Sequence, residues 1–198
     1  MQDFLSIKRF IAEQREKMIE LERLLCSIPA LAPESGGEGE LKKCEALQSY
    51  LQALGFRQFE RIDAPDSRVP SGIRPSLIVT VPGKNDSARI WIMAHTDVVP
   101  PGELTKWKAD PWTLVQDGDK LIGRGVEDNQ QGLVSALFAA YPFIALGVQP
   151  AHTIKLLFVA DEEVGSKFGI IHLLEKHHLF TQEDIILVPD GGDPAGET

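Results

Sequence analysis

The sequence predicts an α/β fold, a central sheet with helices on both faces. Short apolar runs suited to buried strands alternate with segments of helical spacing, and acidic or imidazole side chains recur just beyond the ends of those runs. With 198 residues and 43% hydrophobic content, the chain can bury one sizeable core, near the usual upper size for one domain.

In chain order, Phe4, Ile7, Phe10, Ile11, Met18, Leu21 and Leu25 keep three-four spacing, interrupted at Gln14, and predict one amphipathic helix over residues 3–26. It is too short for a coiled-coil seam and should pack on the domain's own sheet. Residues 27–40, rich in Pro, Ser and Gly, form a loop. Leu41, Ala46, Leu47, Tyr50, Leu51 and Leu54 then mark a second helix ending at Gly55. Strands are expected over Ser76–Val81, Arg89–His95, Thr153–Ala160 and Ile185–Val188. Gln130–Leu146 has helical spacing, with a kink or split expected at Pro142, and Lys167–Lys176 reads as a shorter helix. The stretch from Asp63 to Pro75, with three prolines, reads as a surface connection.

Charge and composition exclude several functions. A net charge of -9 and a pI near 5.0 argue against a nucleic-acid partner, which clustered Lys and Arg would hold. No apolar stretch suits a bilayer span, and no basic-then-apolar segment opens the chain, so a cytoplasmic protein with no membrane partner is expected. Cys26 and Cys44 form no CxxC pair and read as buried thiols.

In open α/β sheets ligands bind beyond the carboxyl ends of the strands, where the loops converge. Four clusters stand in such positions: His95 and Asp97, Asp128, Asp161 to Glu163, and Asp190. Each alone has an ordinary explanation. A histidine needs only one local partner, and an Asp-Glu-Glu triplet suits a solvated turn or a helix start. GRGVED departs from a dinucleotide fingerprint, because a carboxylate at Asp128 would repel a pyrophosphate. Together they deliver four groups of metal-competent side chains, whose joint burial requires compensating cations. No GxSxG elbow, HExxH helix or Cys–His pair offers a different hydrolytic template.

His-Thr-Asp-Val-Val-Pro at 95–100, Gly-Arg-Gly-x-x-Asp at 123–128, Asp-Glu-Glu-x-Gly-Ser at 161–166 and Pro-Asp-Gly-Gly at 189–192 resemble the M20 family of metallopeptidases. That family includes aminoacylase, carboxypeptidase G, succinyl-diaminopimelate desuccinylase and bacterial dipeptidases. The resemblance implies a three-layer zinc-exopeptidase-like domain with a mixed, mostly parallel sheet flanked by helices. It also implies two divalent metal ions, with zinc first and cobalt or manganese compatible with the ligands. Asp128 would bridge the metals, His95 and Asp190 would complete one site, and Glu163 would belong to the other. Glu162 would be the general base. Asp97 would stand behind His95, its carboxylate accepting the proton of the ring nitrogen that faces away from the metal. A cis peptide is expected at Asp128–Asn129.

The chain departs from the family in two ways. Members often place a lysine just after the bridging aspartate, whereas this sequence reads Asp128-Asn129-Gln130-Gln131. Members are also about twice as long, with an inserted lid domain and a final histidine ligand. Residues 1–198 therefore read as the N-terminal part of the catalytic domain, without the lid and the C-terminal segment, and inactive alone. Of the other histidines, His152, His172, His177 and His178 read as surface or helix-face residues away from strand ends.

The reaction expected is hydrolysis of an amide bond in a dipeptide or N-acyl amino acid, as by a dipeptidase, deacylase or desuccinylase. The small-molecule substrate is the expected partner, and the family implies a homodimer in full-length protein. Two rivals remain, a non-catalytic metal-binding scaffold and a plain structural α/β domain. Metal stoichiometry separates the second from the others, and amide hydrolysis separates enzyme from scaffold.

Overall fold

The computed structural model describes residues 2–191, so Gly192, which ends the fourth motif, lies outside the described residues. Helices α1 (Gln2–Ala12) and α2 (Arg15–Cys26) occupy the segment expected to form one helix. The break falls where the apolar spacing lapses. There the Glu13 N–H is shared between Arg9 O and Phe10 O, and the Gln14 N–H reaches back only three residues to Ile11 O. Gln14 Nε2 also donates to Phe10 O at 3.1 Å, so the buried amide tightens the turn that a periodic apolar residue would have continued.

Helix α3 (Leu41–Leu54) ends as its sequence predicts. Gly55 takes a left-handed φ of 104°, and its N–H and that of Phe56 satisfy carbonyls of the last turn. The strands are β1 (Gln58–Pro65), β2 (Ile73–Val81), β3 (Asn85–His95), β4 (Val115–Asp117), β5 (Lys120–Ile122), β6 (His152–Val159) and β7 (Ile185–Leu187), with helices α4 (Gln131–Ala145) and α5 (Ile170–Lys176). The expected split at Pro142 does not occur. Proline removes one donor near the last turn, and nine buried residues of α4 hold the helix by packing.

The main sheet has the order β1-β2-β6-β3-β7, and β4 and β5 form a separate hairpin. β2 pairs antiparallel with β1 and β6, whereas β3 pairs parallel with β6 and β7. Four strands therefore share one direction and β2 alone opposes them, the mixed and mostly parallel sheet expected. The carboxyl ends of β6, β3 and β7 thus emerge on one edge, beside the beginning of β2.

Alternation sorts the side chains into two cores. Leu77, Val79, Leu156 and Phe158 face α2, α3 and α4 with Leu25, Leu47, Leu51 and Leu137. Ile78, Trp91, Leu157 and Val159 face the other way, against Leu173 of α5. Each fully buried Leu or Phe contributes about 1.5–3 kcal/mol of burial free energy, which makes the sheet a rigid platform.

Two expectations need correction. The Asp63–Pro75 stretch is not a surface connection: its ends belong to β1 and β2, and Asp66, Val69 and Arg74 are buried. His152 does lie at a strand end, but it opens β6, far from that strand's carboxyl end, with Nδ1 3.0 Å from Ala88 O. Cys26 and Cys44 are buried free thiols, as expected.

Candidate metal centre

His95 is the last residue of β3, opposite Val159 of β6, and it is buried. Thr96 secures that strand end, with both its N–H and its hydroxyl donating to Val159 O. Asp128 arrives on the turn Val126–Gln130 that leads into α4. The Asp128–Asn129 peptide is cis, as the resemblance implied. Asp190 follows β7, its N–H bonded to Val188 O.

These three residues converge. His95 Nε2 lies 3.0 Å from Asp128 Oδ1 and 3.7 Å from Asp190 Oδ2, and one donor atom from each residue falls within 4.8 Å of the others. The opposite ring nitrogen, Nδ1, is 2.9 Å from the backbone carbonyl of Asp97. The Asp97 carboxylate, expected behind His95, stands 3.6 Å from Nδ1, close enough to pair with the imidazole in charge, while the backbone carbonyl makes the shorter contact. The carboxylate is also engaged elsewhere: Oδ1 accepts the Glu162 N–H and Oδ2 the Glu163 N–H, both at 3.0 Å. Backbone and side chain of one residue thereby orient both the imidazole and the two glutamates.

Glu162 and Glu163 lie on a short turn after β6 that begins at Asp161, whose φ of 67° is left-handed. Glu162 lines a small cleft with His95, Ser166, Val188 and Asp190. Glu163 is half-buried, and its Oε1 has no hydrogen-bond partner.

The electrostatics favour a cation. Burial opposes the charged imidazole, but the Asp97 and Asp128 carboxylates outweigh it and lift His95 to about 9. Burial raises the Glu162 carboxyl, partly countered by His95 and reinforced by Asp190, and it raises Glu163 together with the charge of Asp128. Among the described residues no Lys or Arg forms an ion pair with Asp128, Asp190, Glu162 or Glu163. One imidazole, the two converging carboxylates of Asp128 and Asp190, and the adjacent Glu163 with its orphaned oxygen are a donor set that fits a divalent metal. The cluster itself holds His95, Asp128 and Asp190; Glu163 stands beside it.

Sequence reasoning missed two buried charged residues, Arg74 and Glu40, which pair with each other, Arg74 Nη1 lying 3.1 Å from Asp161 Oδ1 at the start of the turn. Only a lone arginine near the start of an apolar run signalled Arg74, and nothing in the local pattern separates it from a surface residue.

A mixed sheet between helical layers, with an imidazole and carboxylates gathered beyond its carboxyl edge, defines an α/β domain of the metallohydrolase type. The profile of peptidase family M20/M25/M40 matches residues 91–198, and the chain belongs to that family. It is 33% identical to an uncharacterized metallohydrolase of Methanocaldococcus jannaschii over 92% of this chain and 46% of that protein. It is 34% identical to a succinyl-diaminopimelate desuccinylase of Delftia acidovorans over 81% of this chain and 40% of that one. The chain thus spans about half the length of the curated relatives it matches. The fold is similar to the dipeptidase Dug1p of Saccharomyces cerevisiae, with a TM-score of 0.78 at 22% identity over 95% of this chain and 41% of that one. Human carnosine dipeptidase 1 gives a TM-score of 0.75 at 22% identity, over the same shares of the two chains. No described helix is long and apolar enough to cross a membrane.

Proposed function

We propose that residues 1–198 are the N-terminal part of the catalytic domain of a metal-dependent hydrolase that cleaves the amide bond of a dipeptide or an N-acyl amino acid. The observation that carries this reading is the convergence of His95, Asp128 and Asp190 beside the Glu162–Glu163 turn, where among the described residues no Lys or Arg pairs with the acids. The names of the relatives support the same reaction class, a desuccinylase by sequence and dipeptidases by fold. The greater length of those relatives leaves room for further segments in a longer protein, where the family resemblance would place a lid, a further ligand and a homodimer contact.

His95, Asp128 and Asp190 would hold one divalent ion, and Asp128 with Glu163 a second, zinc being the first choice and cobalt or manganese also suited to the donors. The bound metals would supply the positive charge that polarises the amide carbonyl and lowers the pKa of water toward about 7. The residues do the rest. With Nδ1–H donating to Asp97 O, His95 presents Nε2 as the lone-pair donor toward Asp128 and Asp190. Glu162, with its carboxyl raised by burial, takes the proton of the attacking water and returns it to the leaving amine. Asp97 fixes both glutamates through their N–H groups, so one can hold metal while its neighbour moves the proton. A scaffold without catalysis would have no need of Glu162 beside Glu163.

The test uses the full-length protein, loaded with zinc and assayed on a panel of dipeptides and N-acyl amino acids. Glu162→Ala is expected to abolish turnover and leave metal content unchanged. Loss of metal in that variant would exchange the roles of the two glutamates. Absence of hydrolysis across the panel in the metal-loaded wild type would sink the enzyme reading and leave a metal-binding scaffold.

A further inference from the structure

Arg74 lies near the start of β2 with no exposed surface, a charge buried within the sheet. Because β2 opposes its neighbours, its beginning sits beside the carboxyl end of β6, where the site is. The guanidinium meets three buried acids. Nε donates to Glu40 Oε2 at 2.6 Å and Nη2 to Glu40 Oε1, while Nη1 is 3.4 Å from Asp66 Oδ2 and 3.1 Å from Asp161 Oδ1. Arg68 shares the excess negative charge through two bonds of 2.8 Å to the Asp66 carboxylate. Burial works against the charge on Arg74, and Glu40, Asp161 and Asp66 more than offset it.

A staple between α3 and β2 would need only Glu40. Asp161 belongs instead to the functional turn, directly before Glu162, and is held in a left-handed conformation that costs most residues about 1–2 kcal/mol and that Asp tolerates better. Its remaining carboxylate oxygen accepts the Phe168 N–H at 3.0 Å, and its carbonyl accepts the Ser166 N–H at 2.6 Å. The turn is therefore held at two points, Glu162 and Glu163 by hydrogen bonds to Asp97, and Asp161 by the charge of Arg74, the one cation that faces its Oδ1, which accepts no hydrogen bond among the described residues. Only a planar fork can address three carboxylates from one strand position, which a lysine ammonium on a flexible stem does not reproduce.

We propose that Arg74 is a positioning residue: through its ion pair with Asp161 it holds the Glu162–Glu163 turn in the conformation that presents both glutamates to the His95–Asp128–Asp190 cluster. The inference rests on the reading of those glutamates as proton carrier and metal ligand.

The experiment is residue-resolved amide hydrogen exchange, followed by mass spectrometry with electron-transfer fragmentation on the full-length protein, for the wild type, Arg74→Lys and Asp161→Asn. Asn retains the shape and tolerates the same backbone conformation, so Asp161→Asn remains informative if Arg74→Lys does not fold. In both variants the N–H groups of Glu162, Glu163 and Ser166 are expected to exchange at least about tenfold faster relative to those of Val79 and Leu156 in the same sample. Equal acceleration in turn and core would reduce Arg74 to a general stabiliser and overturn the proposal. Unchanged exchange at the turn would overturn it as well. A parallel zinc titration of Glu163→Gln separates the two readings, since an unaltered affinity there would refute the ligand role of Glu163 while leaving the exchange result standing.

Discussion

Oδ1 of Asp97 accepts the backbone N–H of Glu162 at 3.0 Å, joining the end of β3 to the turn after β6 across 65 residues of chain. Oδ2 does the same for Glu163, so each oxygen of this buried carboxylate accepts an N–H of the turn. Asp97→Asn would turn an NH2 group toward one of those N–H donors and leave the donor unsatisfied, at about 1–3 kcal/mol. Affinity for zinc is expected to fall about 10- to 100-fold while the fold persists, as for other residues that orient ligands. Competition with a chromogenic chelator measures this, and an unchanged affinity would refute it.

The metal cluster makes a sharper distinction among histidines and acids. His95→Ala, Asp128→Asn and Asp190→Asn are each expected to weaken metal uptake by at least about tenfold. His172→Ala, on α5 with its ring beside that of His177, should have no effect. Metal analysis after equilibrium dialysis compares all four, and uptake lost equally in the His172 variant would show that binding is nonspecific.

Gly132 explains how the Asp128 turn and the Asp190 loop come so close. A Cβ built on it would stand 2.0 Å from Asn129 Oδ1 and 2.3 Å from the carbonyl of Pro189. Since that carbonyl is backbone, Gly132→Ala must push the Pro189–Asp190 segment outward. Destabilisation of about 1–3 kcal/mol is expected, the usual cost of overpacking, together with weaker metal binding. Urea denaturation and the chelator assay report the two effects separately.

Acid should loosen the fold through two aspartates outside the metal cluster. Burial alone would raise the Asp184 carboxyl, but Arg89, the N–H groups of Thr181 and Arg89, and the Trp91 indole hold it far below its ordinary range. Arg68, aided by Arg74, holds Asp66 at about 2. A folded-state pKa below the unfolded value of about 3.9 adds stability that is fully present above that value and lost as pH falls through the folded pKa. The melting temperature should therefore drop between about pH 4 and pH 2. Asp184→Asn should cost about 2 kcal/mol at neutral pH and flatten part of that decline. An acid limb of unaltered slope in this variant would rule out Asp184 as a contributor.

Much of the fold was legible because burial writes itself into short periods. β2 and β6 are covered on both faces and read as continuous apolar runs, and α3 announces its own end at Gly55. The edge strand β1 escaped detection because its burial is confined to a few positions, and the β4–β5 hairpin because three-residue strands carry too little pattern. Gln14 split the first helix through a side-chain bond to Phe10 O that no spacing rule foresees.

The sequence by itself determined the α/β class and which segments carry the site, His95, Glu162, Glu163 and Asp190 at or beyond strand ends and Asp128 just before a helix, since apolar periodicity and residue chemistry are local properties. Tertiary structure alone decided what holds them. It assigned the carbonyl of Asp97 to His95 and the carboxylate to the glutamates, and it delivered Arg74 to Asp161 by running β2 against its neighbours. The contacts of Asp97 with the glutamates and of Arg74 with Asp161 join residues 65 and more positions apart, and their energies depend on burial and on angstrom-scale approach, quantities that exist only once the sheet has closed.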